Sequence, residues 1–171
     1  MSKKTAIIYS FNSNKTAKAA GKIAEAFGKN KIHTLNAEEI TEKEFLNYDN
    51  LILGVPTWFD GELPNYWDEF VPALKDLDMK GKSVAIFGLG DQAGYPENFA
   101  DGIGIMGKLL RDRGAKLVGY TDNDHYEFES SAAIENGKFM GLVLDQENQA
   151  RLSKGRIEKW VEALKKELDI E

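Results

Sequence analysis

Several short stretches of the chain are apolar on both faces: "TAIIY" (5–9), "NLILGVP" (50–56), "SVAIFGLG" (83–90) and "KLVGY" (116–120). They are rich in β-branched residues and too short for helices, which predicts strands of a parallel sheet covered on both sides. "KIHTL" (31–35) is a weaker strand, placed nearer an edge. Helical patterns lie between them. Ala17, Ala20, Ile23, Ala24 and Phe27 recur at i, i+3, i+4 spacing, and Gly28 follows as a stop. Further helices are predicted over 66–74 and over 98–113, the latter followed by Gly114. In the last helix Ile157, Trp160, Val161, Leu164 and Leu168 share a face. Strand and helix alternate, so the architecture is doubly wound α/β.

One segment breaks the rhythm. After "KLVGY" comes "TDNDHYEFESSAAIENGKFM", and then another apolar run, "GLVLD" (141–145). This reads as an insertion, about 121–140, that splits the fifth strand. Connections of that length are uncommon inside compact domains and are often functional. No repeat, linker or low-complexity stretch interrupts the rest, so residues 1–171 are taken as one domain.

Composition narrows the class. With 42% apolar and 29% charged residues, a soluble globular protein is expected. No run approaches the ~20 apolar residues of a membrane span, and residues 1–9 do not form a signal peptide. The absence of cysteine excludes disulfides and thiolate-held iron–sulfur clusters and fits a cytoplasmic setting. His33 and His125 are far apart and belong to no ligand-spaced cluster. The net charge is −6, and residues 38–78 carry eleven Asp/Glu against two Lys. Nucleic acid, which is held mainly through Lys and Arg, is a poor partner for such a surface. The acidic stretch reads either as a solvated face or as a docking face for basic proteins.

In an open α/β sheet, ligands bind beyond the carboxyl ends of the strands. Loops 10–16, 56–64 and 89–98 leave those ends. The first carries Ser10, Asn12, Ser13, Asn14 and Thr16 and runs straight into a helix, whose free N–H groups and dipole favour an anion. It contains no glycine, but asparagine tolerates the left-handed region better than most residues. The competing reading is that Ser13 or Asn14 only caps the helix. Lys15 is not a Walker lysine, because the flanking glycines are missing. The other loops, "PTWFDGELPNYW" and "GLGDQAGYPENF", each place a large aromatic, Trp58 and Tyr95, in a polar setting. Two such side chains on adjacent loops suit a flat, partly apolar ring. No Ser/His/Asp or Cys/His arrangement accompanies them. "GIGIMG" (102–107) matches GxGxxG but follows no strand, and is read as a packing run.

With "PTWFDGELPNYWDEF", "FGLGDQAGYPENFADGIG", "GKFMGLVLDQENQ" and "RIEKWVEALKKEL" in view, the chain resembles a long-chain flavodoxin over nearly its whole length. The resemblance implies a five-stranded parallel sheet of order 2-1-3-4-5, with the insertion splitting strand 5. It implies non-covalently bound FMN, with the phosphate in the first loop and the ring between the two aromatics. It carries Ser10, Asn12, Ser13, Asn14, Lys15 and Thr16 to the phosphate. Thr57, Trp58, Phe59, Gly61, Leu89, Gly90, Asp91, Tyr95, Asn98 and Asp101 go to the ring and ribityl chain, and Glu147 to the ribityl hydroxyls. For Asp101 the plain alternative is a helix-start carboxylate, and for Glu147 a solvated charge. The family shuttles single electrons at low potential between redox proteins and is not itself catalytic. A monomer that meets its partners transiently is therefore expected.

The sequence departs from the family pattern in places. Phe11 stands where a hydroxyl residue is usual, Asn14 where glycine is, Phe59 where asparagine is common, and Leu89 where threonine is common. The Phe59–Asp60 peptide is the one that would flip on reduction. Asp60, Glu62, Asp68, Glu69, Asp91 and Glu97 would ring the exit for electrons and steer basic-faced reductases and acceptors. Rival readings are an FMN-dependent NAD(P)H/quinone oxidoreductase and a relative whose FMN binding is weakened or lost. A phospho-acceptor domain would need acidic residues where Ser10-Phe11 and Pro56-Thr57 stand.

Overall fold

The computed structural model describes residues 3–170. Its central sheet is parallel throughout. Strands β1 (Thr5–Tyr9), β2 (His33–Asn36), β3 (Asn50–Gly54), β4 (Ser83–Leu89) and β5 (Lys116–Val118) lie in the order β2-β1-β3-β4-β5. The weak strand is at the edge, as its composition suggested. Short strands β6 (Thr121–Asp122), β7 (Ile134–Glu135) and β8 (Lys138–Phe139) follow, then β9 (Leu142–Leu144). Strand β5 pairs with the first half of β4, Ser83 to Ala85, and β9 with the second half, Phe87 to Leu89. The fifth strand is therefore split, and the chain leaves the sheet between its halves.

Alternation along the strands assigns the two faces. Ile7, Ile52, Ala85 and Phe87 pack with Ile23 and Phe27 of α1 (Lys15–Phe27) and with Ile157, Trp160 and Leu164 of α5 (Ser153–Glu167). Ala6, Ile8, Leu51, Leu53, Val84 and Ile86 face the other layer. There α2 (Glu42–Leu46) contributes Phe45, α3 (Asn65–Leu74) Trp67, and α4 (Asp101–Asp112) Ile103 and Met106. Helix α1 stops where expected: Gly28 takes φ 111° and its N–H closes on the Ala24 and Glu25 carbonyls. The buried indoles also hold the layers in register. Trp67 Nε1 donates to Gly54 O at 2.9 Å, and Trp160 Nε1 to Gly119 O at 2.8 Å.

The excursion between β5 and β9 is folded, not a bare loop. Strands β6, β8 and β7 form a small antiparallel sheet in that order. Phe128 stacks on Phe99 at 5.2 Å between centroids, and Tyr126 meets Phe139 edge-on at 5.0 Å. Three strands of two residues each are too short to hold themselves together without an apolar face to pack, and this aromatic cluster supplies it. The glycine run of α4 is what lets the two approach. A Cβ on Gly104 would overlap the Ala132 backbone, and "GIGIMG" is the packing run its position implied. Helix α4 begins later than the predicted 98, at Asp101, because Ala100 takes a left-handed conformation (φ 56°) that a helix cannot include.

Candidate functional site

The three loops and the start of the segment after β9 gather at the carboxyl ends of the strands. Two adjoining clefts lie among them. One, about 420 Å³, is lined by Ser10, residues 12–16, Glu38, Pro56, Trp58 and Tyr66. The other, about 180 Å³, is lined by Lys15, Thr57, Leu89, Gly90, Asp91, Tyr95, Asn98, Phe99, Ala100, Gln146 and Glu147. Lys15 belongs to both, and its ammonium pairs with the Glu147 carboxylate across the junction.

The first loop is a tight turn in which the Ser13 N–H and hydroxyl both donate to Ser10 O, at 3.2 and 2.6 Å. Because the Ser13 hydroxyl is spent there, it does not cap α1. Asn14 makes no side-chain cap either. The first helical hydrogen bond is Lys18 N–H to Asn14 O, at 3.2 Å. The N–H groups of Asn14, Lys15, Thr16 and Ala17 thus have no partner among the described residues. Aligned N–H donors at the positive end of a helix suit an anion. The cap reading is set aside for that reason. One expectation is corrected: Asn14 sits at φ −85°, ψ −66°, in the right-handed region, so nothing at this position calls for the left-handed tolerance of asparagine or glycine.

Glu38 was not anticipated. It lies in the short helical turn after β2, Ala37–Glu39, and its carboxylate accepts the Ser10 hydroxyl at 2.9 Å and the Asn12 amide at 2.6 Å. Two side-chain donors of the first loop are therefore already engaged by an internal anion. Tyr66, on α3, was also missed. Its hydroxyl is buried without a partner among the described residues, and burial, with the Glu38 charge adding, pushes its pKa well above the ordinary tyrosine range.

In the second loop Trp58 and Glu62 exchange backbone hydrogen bonds of 2.8 and 2.7 Å around Phe59-Asp60-Gly61. Phe59 takes φ 48°, an unusual conformation for a bulky residue, and its ring is 76% exposed. Trp58 is 36% exposed and leans edge-on against Tyr66, 6.0 Å away. Gly61, at φ 85°, touches Asp101 and Asn98 so closely that a Cβ would stand 2.6 Å from Asp101 Oδ2. Thr57 Oγ1 accepts the Gly102 N–H at 2.8 Å and so ties this loop to the start of α4.

The third loop is held from behind. Gly90 N–H donates to Leu144 O at 2.9 Å, and Asp91 Oδ1 accepts the Gly94 N–H and the Asn148 amide, each at 2.8 Å. Behind it Asp145, fully buried at the end of β9, accepts the Gln92 N–H at 3.0 Å and its amide at 2.6 Å. The Asn148 N–H donates to the other oxygen at 2.9 Å. Tyr95, the aromatic this frame presents, is 63% exposed. Asp145 and Asn148 were absent from the sequence reading. Their signal was a carboxylate closing an apolar strand, which must find donors if buried.

Of the anticipated residues, Ser10, Asn12, Ser13, Asn14, Lys15, Thr16 and Trp58 line the larger cleft. Thr57, Leu89, Gly90, Asp91, Tyr95, Asn98 and Glu147 line the smaller one with Lys15. Phe59, Gly61 and Asp101 line neither. Asp101 is the helix-start carboxylate of its plain reading: it accepts the Ala132 N–H at 2.7 Å and the Asn98 amide at 3.3 Å, anchoring the insertion. Among the described residues no group of three or more His, Asp or Glu is placed to hold a metal ion, and no helix is long and apolar enough to cross a membrane.

Comparison with known proteins bears directly on this arrangement. Residues 7–160 match the family model described as Flavodoxin. The chain is 43% identical to a flavodoxin of Nostoc sp. over 172 aligned residues, covering 99% of this chain and 100% of that one. It is 35% identical to flavodoxin 1 of Escherichia coli, covering 98% and 96%. The structure of a Fusobacterium nucleatum flavodoxin bound to flavin mononucleotide superposes with a TM-score of 0.91 at 37% identity, covering 96% of this chain and 98% of that one.

Proposed function

This chain belongs to the flavodoxin family, and on that premise we propose that it carries single electrons at low potential on non-covalently bound FMN. One observation carries the reading: free N–H donors at the start of α1 open into the same junction that Trp58 and Tyr95 flank. The donor set fits the group. Asn14, Lys15, Thr16 and Ala17 offer N–H groups and Lys15 a charge to a phosphate, and Tyr66, whose hydroxyl is buried without a partner among the described residues, is part of the wall of that cleft. Trp58 and Tyr95 offer faces to a flat ring, while Thr57, Leu89, Gly90, Asp91 and Asn98 wall the space between. Lys15 and Glu147 lie over the junction where a ribityl chain would run. Phe59 and Gly61 shape the turn beside the ring, and Asp101 holds Asn98 in place.

Bound FMN supplies the electron-accepting ring; the residues around it decide how readily that ring takes negative charge. Asp60, Glu62 and Asp91 disfavour it, since one unit charge ~4 Å away costs about 4 kcal/mol at a near-surface dielectric. The Phe59–Asp60 peptide, already in a strained left-handed turn, is the backbone element free to reorient beside the ring. We read the chain as a carrier rather than an enzyme, in line with its flavodoxin relatives. The protein works as a cytoplasmic monomer of one domain.

The test is the purified protein's absorption spectrum with mass spectrometry of the released flavin. Stoichiometric FMN is expected; a colourless protein that takes up no added FMN refutes the proposal. Steady-state NAD(P)H oxidation without a partner protein would instead favour a reductase.

The partners are basic-faced redox proteins. Asp60, Glu62 and Glu97 are exposed on the two loops that carry Trp58 and Tyr95, and Asp68 and Glu69 are exposed early in α3, the helix that follows the Trp58 loop. Replacing Glu62 and Asp68 by Lys slows electron transfer with a basic reductase at low salt and much less at high salt, since the Debye length is ~10 Å at 0.1 M. Stopped-flow rates across ionic strength check this. Rates indifferent to both changes would leave the rim a solvated face.

A further inference from the structure

Among the described residues, the buried side-chain polar atoms without a hydrogen-bond partner are the Tyr66 hydroxyl, Gln149 Oε1 and Arg156 Nη1. Buried polar groups are nearly always paired, so an orphan marks a place where a partner from outside the chain is expected. Tyr66 lines the first-loop cleft. Gln149 and Arg156 line a different groove, between the insertion and α5, that shares no residue with either cleft of the flavin site. Its volume, about 790 Å³, falls in the range of small-molecule sites.

The groove has both an apolar wall and a charge. The Arg156 guanidinium lies 4.1 Å from the centroid of the Tyr126 ring. The Tyr126 hydroxyl donates to Val143 O at 2.6 Å, and burial pushes its pKa up to about 12, so it brings a ring and no charge. Arg151, Arg156 and Lys159 line the groove without a carboxylate in ion-pairing reach among the described residues, whereas Lys138 is matched by Asp122 at 3.7 Å; Asp124 also lines the groove, outnumbered three to one by the free cations. Free cations gathered on one flank set this groove apart in a chain of net charge −6.

Gly155 is an independent sign. It sits in the first turn of α5, where glycine costs up to ~1 kcal/mol relative to alanine, and no close neighbour in the fold demands it. Nothing lies within 4 Å of where its Cβ would be. Its missing side chain leaves the groove open.

We propose that this groove binds a small organic anion, a flat apolar body carrying a carboxylate, sulfonate or phosphate, with the charge on Arg156 and the rim cations Arg151 and Lys159. The body lies along Tyr126 and over Gly155. Charge complementarity names the anion, and the size of the groove names a small molecule.

The experiment titrates the FMN-loaded protein with anilinonaphthalene sulfonate, by equilibrium dialysis and by backbone amide NMR shifts, against the uncharged N-phenylnaphthylamine. Saturable one-site binding is expected, with shifts centred on residues 149–160 and 124–126. The uncharged analogue should bind at least about tenfold more weakly, as should the sulfonate to Arg156→Gln, because a charge-assisted contact is lost. Gly155→Phe should abolish binding by filling the groove. Gly155→Phe should keep its bound FMN and native circular dichroism, which shows that it still folds. Equal binding of the uncharged analogue, unchanged affinity in both Arg156→Gln and Gly155→Phe, non-saturating uptake, or shifts centred on the flavin clefts would each overturn the proposal.

Discussion

The loops after β1 and after β4 both leave the carboxyl end of a buried strand, both are polar, and they meet across one junction, yet they are built oppositely. The loop after β4 is braced from within: Asp145, fully buried, satisfies donors of Gln92 and Asn148, and Asn148 in turn holds Asp91. The N–H groups of Gly90, Gln92, Gly94 and Tyr95 are all engaged inside the protein, and what the loop offers outward is the Tyr95 ring. The loop after β1 leaves its donors open. N–H groups at the head of α1 lack partners among the described residues, and the side-chain donors of Ser10 and Asn12 go to the exposed carboxylate of Glu38. A flat, sequence-tolerant contact needs a rigid platform, whereas an anion needs unsatisfied donors. The difference in hydrogen-bond accounting is thus a difference in what each loop can bind.

The comparison breaks most severely at Asp145. Asp145→Ala strands the buried donors of Gln92 and releases Asn148, which should cost about 2 kcal/mol of stability and loosen the Tyr95 loop while leaving the first loop alone. Urea unfolding of the apoprotein measures the first effect. Flavin titration separates the second, because riboflavin and FMN should weaken together. Trp58→Ala and Tyr95→Ala come next. Each removes a ring face worth ~0.5–1.5 kcal/mol beyond area burial, so FMN affinity should fall by about tenfold once lost area is added, and the fully reduced state should become easier to form. Affinity and potential unchanged in both variants would place the ring elsewhere.

The smallest change sharpens the contrast from the other side. Glu38→Gln removes a negative charge from the first-loop cleft and weakens its hold on Ser10 and Asn12, so FMN should tighten a few-fold. Riboflavin, which lacks the phosphate, should gain little. Titration of both flavins decides it: equal gains would mean that Glu38 acts on folding or on the ring. Asn14→Gly should gain nothing here, because Asn14 already has an ordinary right-handed backbone.

Much of the architecture was legible in the chain because burial on both faces and helical periodicity are local signals. Ile7 and Ile8, or Leu51 and Ile52, are adjacent apolar residues pointing to opposite layers, and only a covered parallel sheet accommodates such runs. The break after Tyr120 announced the insertion, and Trp58 and Tyr95 stood out as large rings in polar loops. Local sequence also set the end of α1 at Gly28 and the packing role of the glycines in α4.

Tertiary structure decided the rest, since partners distant in sequence cannot be read from spacing. Glu38 reaches the first loop only because β2 lies beside β1, and Asp145 reaches Gln92 only because β9 pairs with β4. The small sheet of the insertion exists only because Phe99, from another loop, completes its aromatic cluster. Whether a polar residue is a free donor, a brace or an orphan depends on which neighbours the fold delivers. That separates Ser10, held by Glu38, from Thr16, whose N–H remains open, although both are polar residues of one short loop.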